Sequence, residues 1–118
     1  MSITFSKNEK LKSRKLIELL FSEGKTISNF PLKLFYLPLD EGENHQVAFA
    51  VPKRNFRLAV SRNRIKRQIR EAYRLHKHML SHDNGKKFAL LFLYISKDKP
   101  QYAQLDSSVK ALLKKNSL

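Results

Sequence analysis

Ten cationic side chains fall within residues 50–77: Lys53, Arg54, Arg57, Arg62, Arg64, Lys66, Arg67, Arg70, Arg74 and Lys77. A single acid in that segment, Glu71, opposes them, and no acid occurs from Asn44 through Arg70. The chemistry open to such a set is the binding of phosphate. Guanidinium forks meet phosphate oxygens two at a time and stack on bases, which an ammonium cannot do. Arginine is concentrated here, and elsewhere only Arg14 interrupts the lysines. A basic helix that merely faces water usually carries glutamates interleaved at i,i+4, and Glu71 alone does not supply them.

Wound as a helix, this segment sorts its residues by face. With Arg62 at zero, Lys66 lies at about 40°, Arg70 at about 80°, Asn63 at about 100°, Arg74 at about 120° and Arg67 at about 140°. An apolar seam of Ile65, Ile69, Ala72, His76 and Met79, spaced four, three, four and three apart, occupies roughly 260–340°. The basic stripe therefore turns away from the core, along about 17 Å of helix, a spacing suited to successive charges of a nucleic-acid backbone. Asn63 adds nothing to a purely electrostatic surface, but its amide can donate and accept at a ribose hydroxyl or a base edge.

Other chemistry is poorly provided for. With no cysteine there is no disulfide, thiolate metal site or cysteine nucleophile, and a reducing compartment, the cytoplasm, is expected. Three glycines, at 24, 42 and 85, form neither common phosphate-binding loop. Asp40, Glu41 and Glu43 cluster where a solvated turn explains them. His78 and His82 sit at i,i+4, but His76 points to a different face and no third zinc ligand is evident. No catalytic residue and no protein-bound metal or other cofactor is expected.

The elements that must position the stripe follow from period and punctuation. The 118 residues carry 24 Lys plus Arg against 10 Asp plus Glu, a net charge of +14, and 42% apolar residues. That suffices for one packed domain, residues 1–118, with a polyanionic partner. The N-terminal residues lack the apolar stretch of a signal peptide, and the longest apolar run, residues 88–95, is too short to span a bilayer. Residues 13–23 read as a helix with Leu16, Ile17, Leu20 and Phe21 at helical spacing, stopped by Gly24. Its start is either Ser13 as the capping residue or the box Ser6-x-x-Glu9 upstream, with Ser13 preferred.

Residues 26–39 read as a short and a longer strand joined near 29–31. Lys33, Phe35 and Leu37 share one face, and Leu32, Leu34 and Tyr36 the other. After a turn at 40–44, residues 45–52 form a strand with Val47, Phe49 and Val51 on one side and Ala48 and Ala50 on the other. The basic helix begins between residues 58 and 61 and runs to about residue 80. Residues 88–95 read as a fully buried central strand, and 103–115 as a second amphipathic helix with Leu105, Val109, Leu112 and Leu113 inward. The order α-β-β-β-α-β-α predicts an α+β sandwich, helices on one four-stranded sheet.

Both amphipathic helices are needed by that core, which argues against a membrane surface as partner. Strands rather than a helix precede the basic helix, which argues against a helix-turn-helix and DNA. RNA, met through phosphates, hydroxyls and unpaired segments, is expected instead. With 12 aromatic residues, most fill the core. Phe35 is the exception to weigh, since its same-face neighbour is Lys33, and an aromatic beside a cation suits stacking on a single-stranded base. Phe21 and Tyr36 admit the same two readings.

The run Arg62-Asn63-Arg64-Ile65-Lys66-Arg67, continued by Gln68-Ile69-Arg70-Glu71-Ala72-Tyr73-Arg74, resembles the signature of the protein component of bacterial ribonuclease P. Ala50-Val51-Pro52-Lys53-Arg54 resembles that family's strand end, Leu20-Phe21-Ser22-Glu23-Gly24 its first-helix ending, and residues 88–95 its last strand. The similarity extends from about Leu11 to Leu113. It departs from the pattern at Phe35, where a tyrosine is frequent, at Pro52, where a serine is common, and at 55–59, one residue longer and without the frequent glycine.

The resemblance implies a four-stranded mixed sheet of the ribosomal-protein-like kind with a left-handed βαβ crossover, against the usual preference. It implies two partners, a catalytic ribonuclease P RNA and precursor tRNA, with neither DNA nor membrane. Endonucleolytic removal of the 5′ leader would then be carried out by the RNA with magnesium ions, Mg2+, which that RNA uses. Arg62, Asn63, Arg64, Lys66, Arg67, Arg70 and Arg74 are implied to face the RNA subunit, and Phe21, Phe35, Lys53 and Arg54 the single-stranded leader. The alternative is a ribosomal or ribosome-assembly RNA-binding protein with no nuclease role.

Overall fold

Apolar residues recur along the chain with two periods, and each period has become an element. In the computed structural model, which describes residues 14–39, 46–77 and 87–116, the order is α1 (Arg14–Glu23), β1 (Lys25–Asn29), β2 (Leu32–Leu39), β3 (Gln46–Ala50), α2 (Ala59–His76), β4 (Lys87–Tyr94) and α3 (Tyr102–Asn116). This is the α-β-β-β-α-β-α order that the sequence predicts. Ser6, Ser13, the turn at 40–44, Met79, His78 and His82 lie outside the described residues.

The sheet order is β1-β2-β4-β3. β1 and β2 pair antiparallel, as do β2 and β4, while β3 and β4 run parallel. The mixed sheet thus arises because α2 carries the chain from β3 back to the same end before β4 inserts beside β2. β4 is central, and its unbroken apolar run is explained by cover on both faces. Leu90, Phe92 and Tyr94 join the core under α2 and α3, whereas Ala89 and Leu91 pack under α1 with Leu93 at the margin.

The larger core lies between the sheet and α2/α3. Ile65, Ile69, Ala72 and Tyr73 from α2 meet Leu105, Val109, Leu112 and Leu113 from α3 over Leu32, Leu34, Val47, Leu90 and Phe92. Tyr73 occupies a core position not anticipated from the seam, packing against Phe49 and Phe92 at ring-centroid distances of 6.1 and 5.9 Å. His76, expected on the seam, is half-buried, and its Nε2 lies 2.8 Å from the Asp106 Oδ1 of α3. A polar side chain is tolerated there because it has a partner.

α1 lies on the opposite face, burying Leu20 against Phe35, Ala89 and Leu91. Its end is set by Gly24, whose N–H donates to the Leu20 carbonyl at 3.0 Å. A Cβ at this position would lie 2.3 Å from that oxygen, so only glycine permits so close an approach.

Candidate nucleic-acid interface

α2 carries the ridge. Its inward face is set by Ile65, Ile69, Ala72 and Tyr73. Asn63, Arg64, Arg67 and Arg70 are accordingly exposed, while Arg62, Lys66 and Arg74 are half-buried. Among the described residues Arg64, Lys66 and Arg67 form no ion pair, so no carboxylate there offsets their charge.

Two members of the set are engaged within the protein. Arg62 Nη1 donates to the carbonyl oxygens of Phe56 at 2.8 Å and Arg57 at 2.9 Å. No side chain caps α2 at Leu58. Arg62, four residues on, instead ties the incoming loop to the helix. Arg74 is paired with Glu71, its Nε 3.0 Å from Oε2 and its Nη2 on Oε1. The hydrogen bond from Arg74 holds the Glu71 carboxyl below its ordinary range, and the same bond raises Arg74. The stretch of positive charge unopposed by a carboxylate therefore ends at Arg70.

The second group lies on the other side of the molecule's sheet. Register places Lys33, Leu93 and Ala50 in one row across β2, β4 and β3, and Phe35, Leu91 and Ala48 in the next. α1 covers the β2 and β4 part of this face, and the small Ala48 and Ala50 leave β3 half-buried at its margin. Phe35 is not the open platform that its neighbour Lys33 suggested. It is only 8% exposed, with the Phe21 ring edge-on at 4.9 Å and Lys33 Nζ 5.3 Å from its centroid. Phe21 is the outward ring, 51% exposed. The structure thus brings Phe21 and Phe35 together as an outer and an inner ring.

Lys53 and Arg54 are exposed on the turn that follows β3, where the Pro52 carbonyl accepts from the N–H groups of Asn55 at 3.2 Å and Phe56 at 3.3 Å. Phe56 is buried, its ring 5.8 Å from that of Tyr94. The segment 55–59, which departs from the resembled pattern, is therefore anchored by Phe56 inward and by Arg62 from above. Lys53, Arg54 and the α2 ridge are joined through this one fixed loop.

A further feature escapes the pattern of the sequence. On the flank of α2 turned towards the β4–α3 connection, a cavity of about 290 Å³ opens between Ser61, Arg64 and Gln68 on one side and Lys99 and Pro100 on the other. Helical spacing aligns positions 61, 64, 65 and 68, but nothing local in the sequence brings Lys99 opposite them. Among the described residues no three His, Cys, Asp or Glu side chains group closely enough to hold a metal ion. None of the described helices is long and apolar enough to cross a membrane.

Comparison with known proteins bears on the family and the fold. The family model described as Ribonuclease P matches residues 5–117. The ribonuclease P protein component of Porphyromonas gingivalis is 35% identical over 116 residues, covering 92% of this chain and 82% of its own. That of Chlorobium phaeobacteroides is 36% identical over 122 residues, covering 91% and 84%. Among solved structures, the RNase P protein of Thermotoga maritima superposes with a TM-score of 0.76 at 22% identity, covering 91% of this chain and 96% of that one. The Staphylococcus aureus RNase P protein does so with a TM-score of 0.72 at 24% identity, covering 92% and 94%. At those identities the structures speak for the shared fold.

Proposed function

The chain belongs to the Ribonuclease P family, and on that premise we propose that it is the protein subunit of a ribonucleoprotein that removes the 5′ leader from precursor tRNA in the cytoplasm. The observation that carries this reading is the outward ridge of α2, where Asn63, Arg64, Arg67 and Arg70 are all exposed on one rigid element. A catalytic RNA would take phosphates along this ridge, with Lys66 beside it and Asn63 at a ribose hydroxyl or base edge. Arg62 holds the loop in place beneath the RNA, and Arg74, shared with Glu71, adds a weaker contact at the far end.

The leader would lie along the β3 margin, its bases against the exposed Phe21 ring with Phe35 behind it, its phosphates near Lys53 and Arg54. Scission is assigned to the RNA, whose magnesium ions supply the hydrolytic chemistry. The protein's share is to bind, to neutralise phosphate repulsion between the two RNAs, and to align the leader.

Reconstitution with a bacterial ribonuclease P RNA and a precursor tRNA tests the proposal. The protein alone should leave the precursor intact, and adding it to the RNA at low magnesium should accelerate cleavage at the mature 5′ end. An Arg67→Ala/Arg70→Ala double variant should lose most of that stimulation. Cleavage by RNA-free protein, or co-sedimentation with ribosomal subunits without any effect on the ribozyme, overturns it.

A further inference from the structure

The cavity beside α2 adjoins the ridge, sharing Arg64 with it, and lies on the other side of the sheet from Phe21, and its lining has the composition of a nucleotide site. Its floor is the buried Ile65, and its apolar walls are Val60 and Pro100. Val60 is 78% exposed, so its side chain is open to an incoming group. Arg64 and Lys99 stand at the rim from opposite elements, both exposed. Asp98, the only acid between residues 95 and 101, is not part of the lining. Inside, Ser61 and Gln68 are half-buried, and neither side chain has a hydrogen-bond partner among the described residues. At about 290 Å³ the space lies near the lower end of the range for small-ligand pockets.

From this arrangement we infer that the cavity receives one unpaired nucleotide of the RNA partner, its base against Val60, Ile65 and Pro100 and its phosphate between Arg64 and Lys99. The inference rests on the proposed function and adds a specificity-determining contact to it. Gln68 supplies the selectivity, because its amide presents a donor and an acceptor side by side to a base edge. The Ser61 hydroxyl serves the ribose or the same edge. A nucleotide held in duplex could not enter, so the site selects a bulge, loop or strand end.

Two measurements on the full chain test the inference. In the first, backbone amide resonances are followed while adenosine or cytidine 5′-monophosphate is added, with inorganic phosphate as the control. Nucleotide should shift Ser61, Gln68 and Lys99, and Gln68→Met should remove most of the shift at Gln68's neighbours. Equal shifts with phosphate alone overturn the assignment of a base. In the second, affinity for a bacterial ribonuclease P RNA is measured over a salt series. Gln68→Met should bind about 3- to 10-fold more weakly, the loss of roughly one hydrogen bond, with the salt slope and thermal midpoint of the wild type. Wild-type affinity in Gln68→Met, alongside weakened binding in Arg67→Ala, overturns the pocket and leaves the proposed function standing. Failure of the wild-type protein to bind the RNA at all overturns both.

Discussion

The guanidinium of Arg62 donates to the carbonyl oxygen of Phe56 at 2.8 Å, across the junction between the β3–α2 loop and the helix. The second acceptor, Arg57, is reached from the same nitrogen. Phe56 itself is buried against Tyr94, so Arg62 fastens the loop from outside while the ring fastens it from inside. An arginine placed by its spacing among phosphate contacts thus has a structural duty, and its partners are backbone oxygens that no pattern of residue types displays.

Arg62→Ala should lower stability by about 1–2 kcal/mol through the loss of a charged donor to two carbonyls. Arg62→Lys should recover only part of this, since an ammonium cannot reproduce the fork. Arg67→Ala, at an exposed position without an ion pair, should leave the unfolding midpoint within experimental scatter. Chemical denaturation of the three variants decides the matter, and equal stability of all three would show the Arg62 contacts to be incidental.

On the ridge, Arg64→Ala, Lys66→Ala, Arg67→Ala and Arg70→Ala should each reduce the slope of log affinity against log salt by about one. Asn63→Ala should weaken RNA binding with the slope nearly intact. Glu71→Gln is expected to act in the opposite sense. The Glu71 carboxyl is held below its ordinary range by Arg74 and is therefore ionised and paired at neutral pH. Removing it releases Arg74 and should steepen the slope. Filter binding at four or five salt concentrations reads all of these, and a shallower slope in Glu71→Gln would contradict the pairing.

The edge-on pair of rings should separate stability from recognition. Phe35 is almost fully covered, so Phe35→Ala should cost about 3 kcal/mol or more of stability. Phe21→Ala removes a half-exposed ring and should cost far less. It should nevertheless reduce the preference for leader-bearing precursor over mature tRNA, an effect of about 1–3 kcal/mol if one base stacks there. Competition between the two tRNAs in the reconstituted complex measures it, and an unchanged preference removes Phe21 from the leader path.

Gly24→Ala should destabilise the fold by about 1–3 kcal/mol, because the new methyl group would meet the Leu20 carbonyl oxygen where α1 ends. The effect should appear in the thermal midpoint, and a stability equal to that of the wild type would mean that α1 can end elsewhere.

Much of this protein is written in local periods. The alternation of Val47 and Phe49 with Ala48 and Ala50, the four-three spacing of Ile65, Ile69 and Ala72, and the unbroken run of β4 each identify an element and its inward face. They do so because backbone geometry fixes the repeat of a strand or helix whatever lies beyond it. The outward direction of Asn63, Arg67 and Arg70 follows from the same arithmetic. Tertiary closure alone decided that β4 enters between β2 and β3, that α1 takes the face opposite α2, and that Phe21 rather than Phe35 is the accessible ring. It also turned Arg62 onto the Phe56 carbonyl and set Lys99 across a cavity from Gln68. Those contacts join segments far apart in the chain or depend on how a loop folds back. Their partners are chosen by three-dimensional packing, which leaves no repeat in the order of the residues.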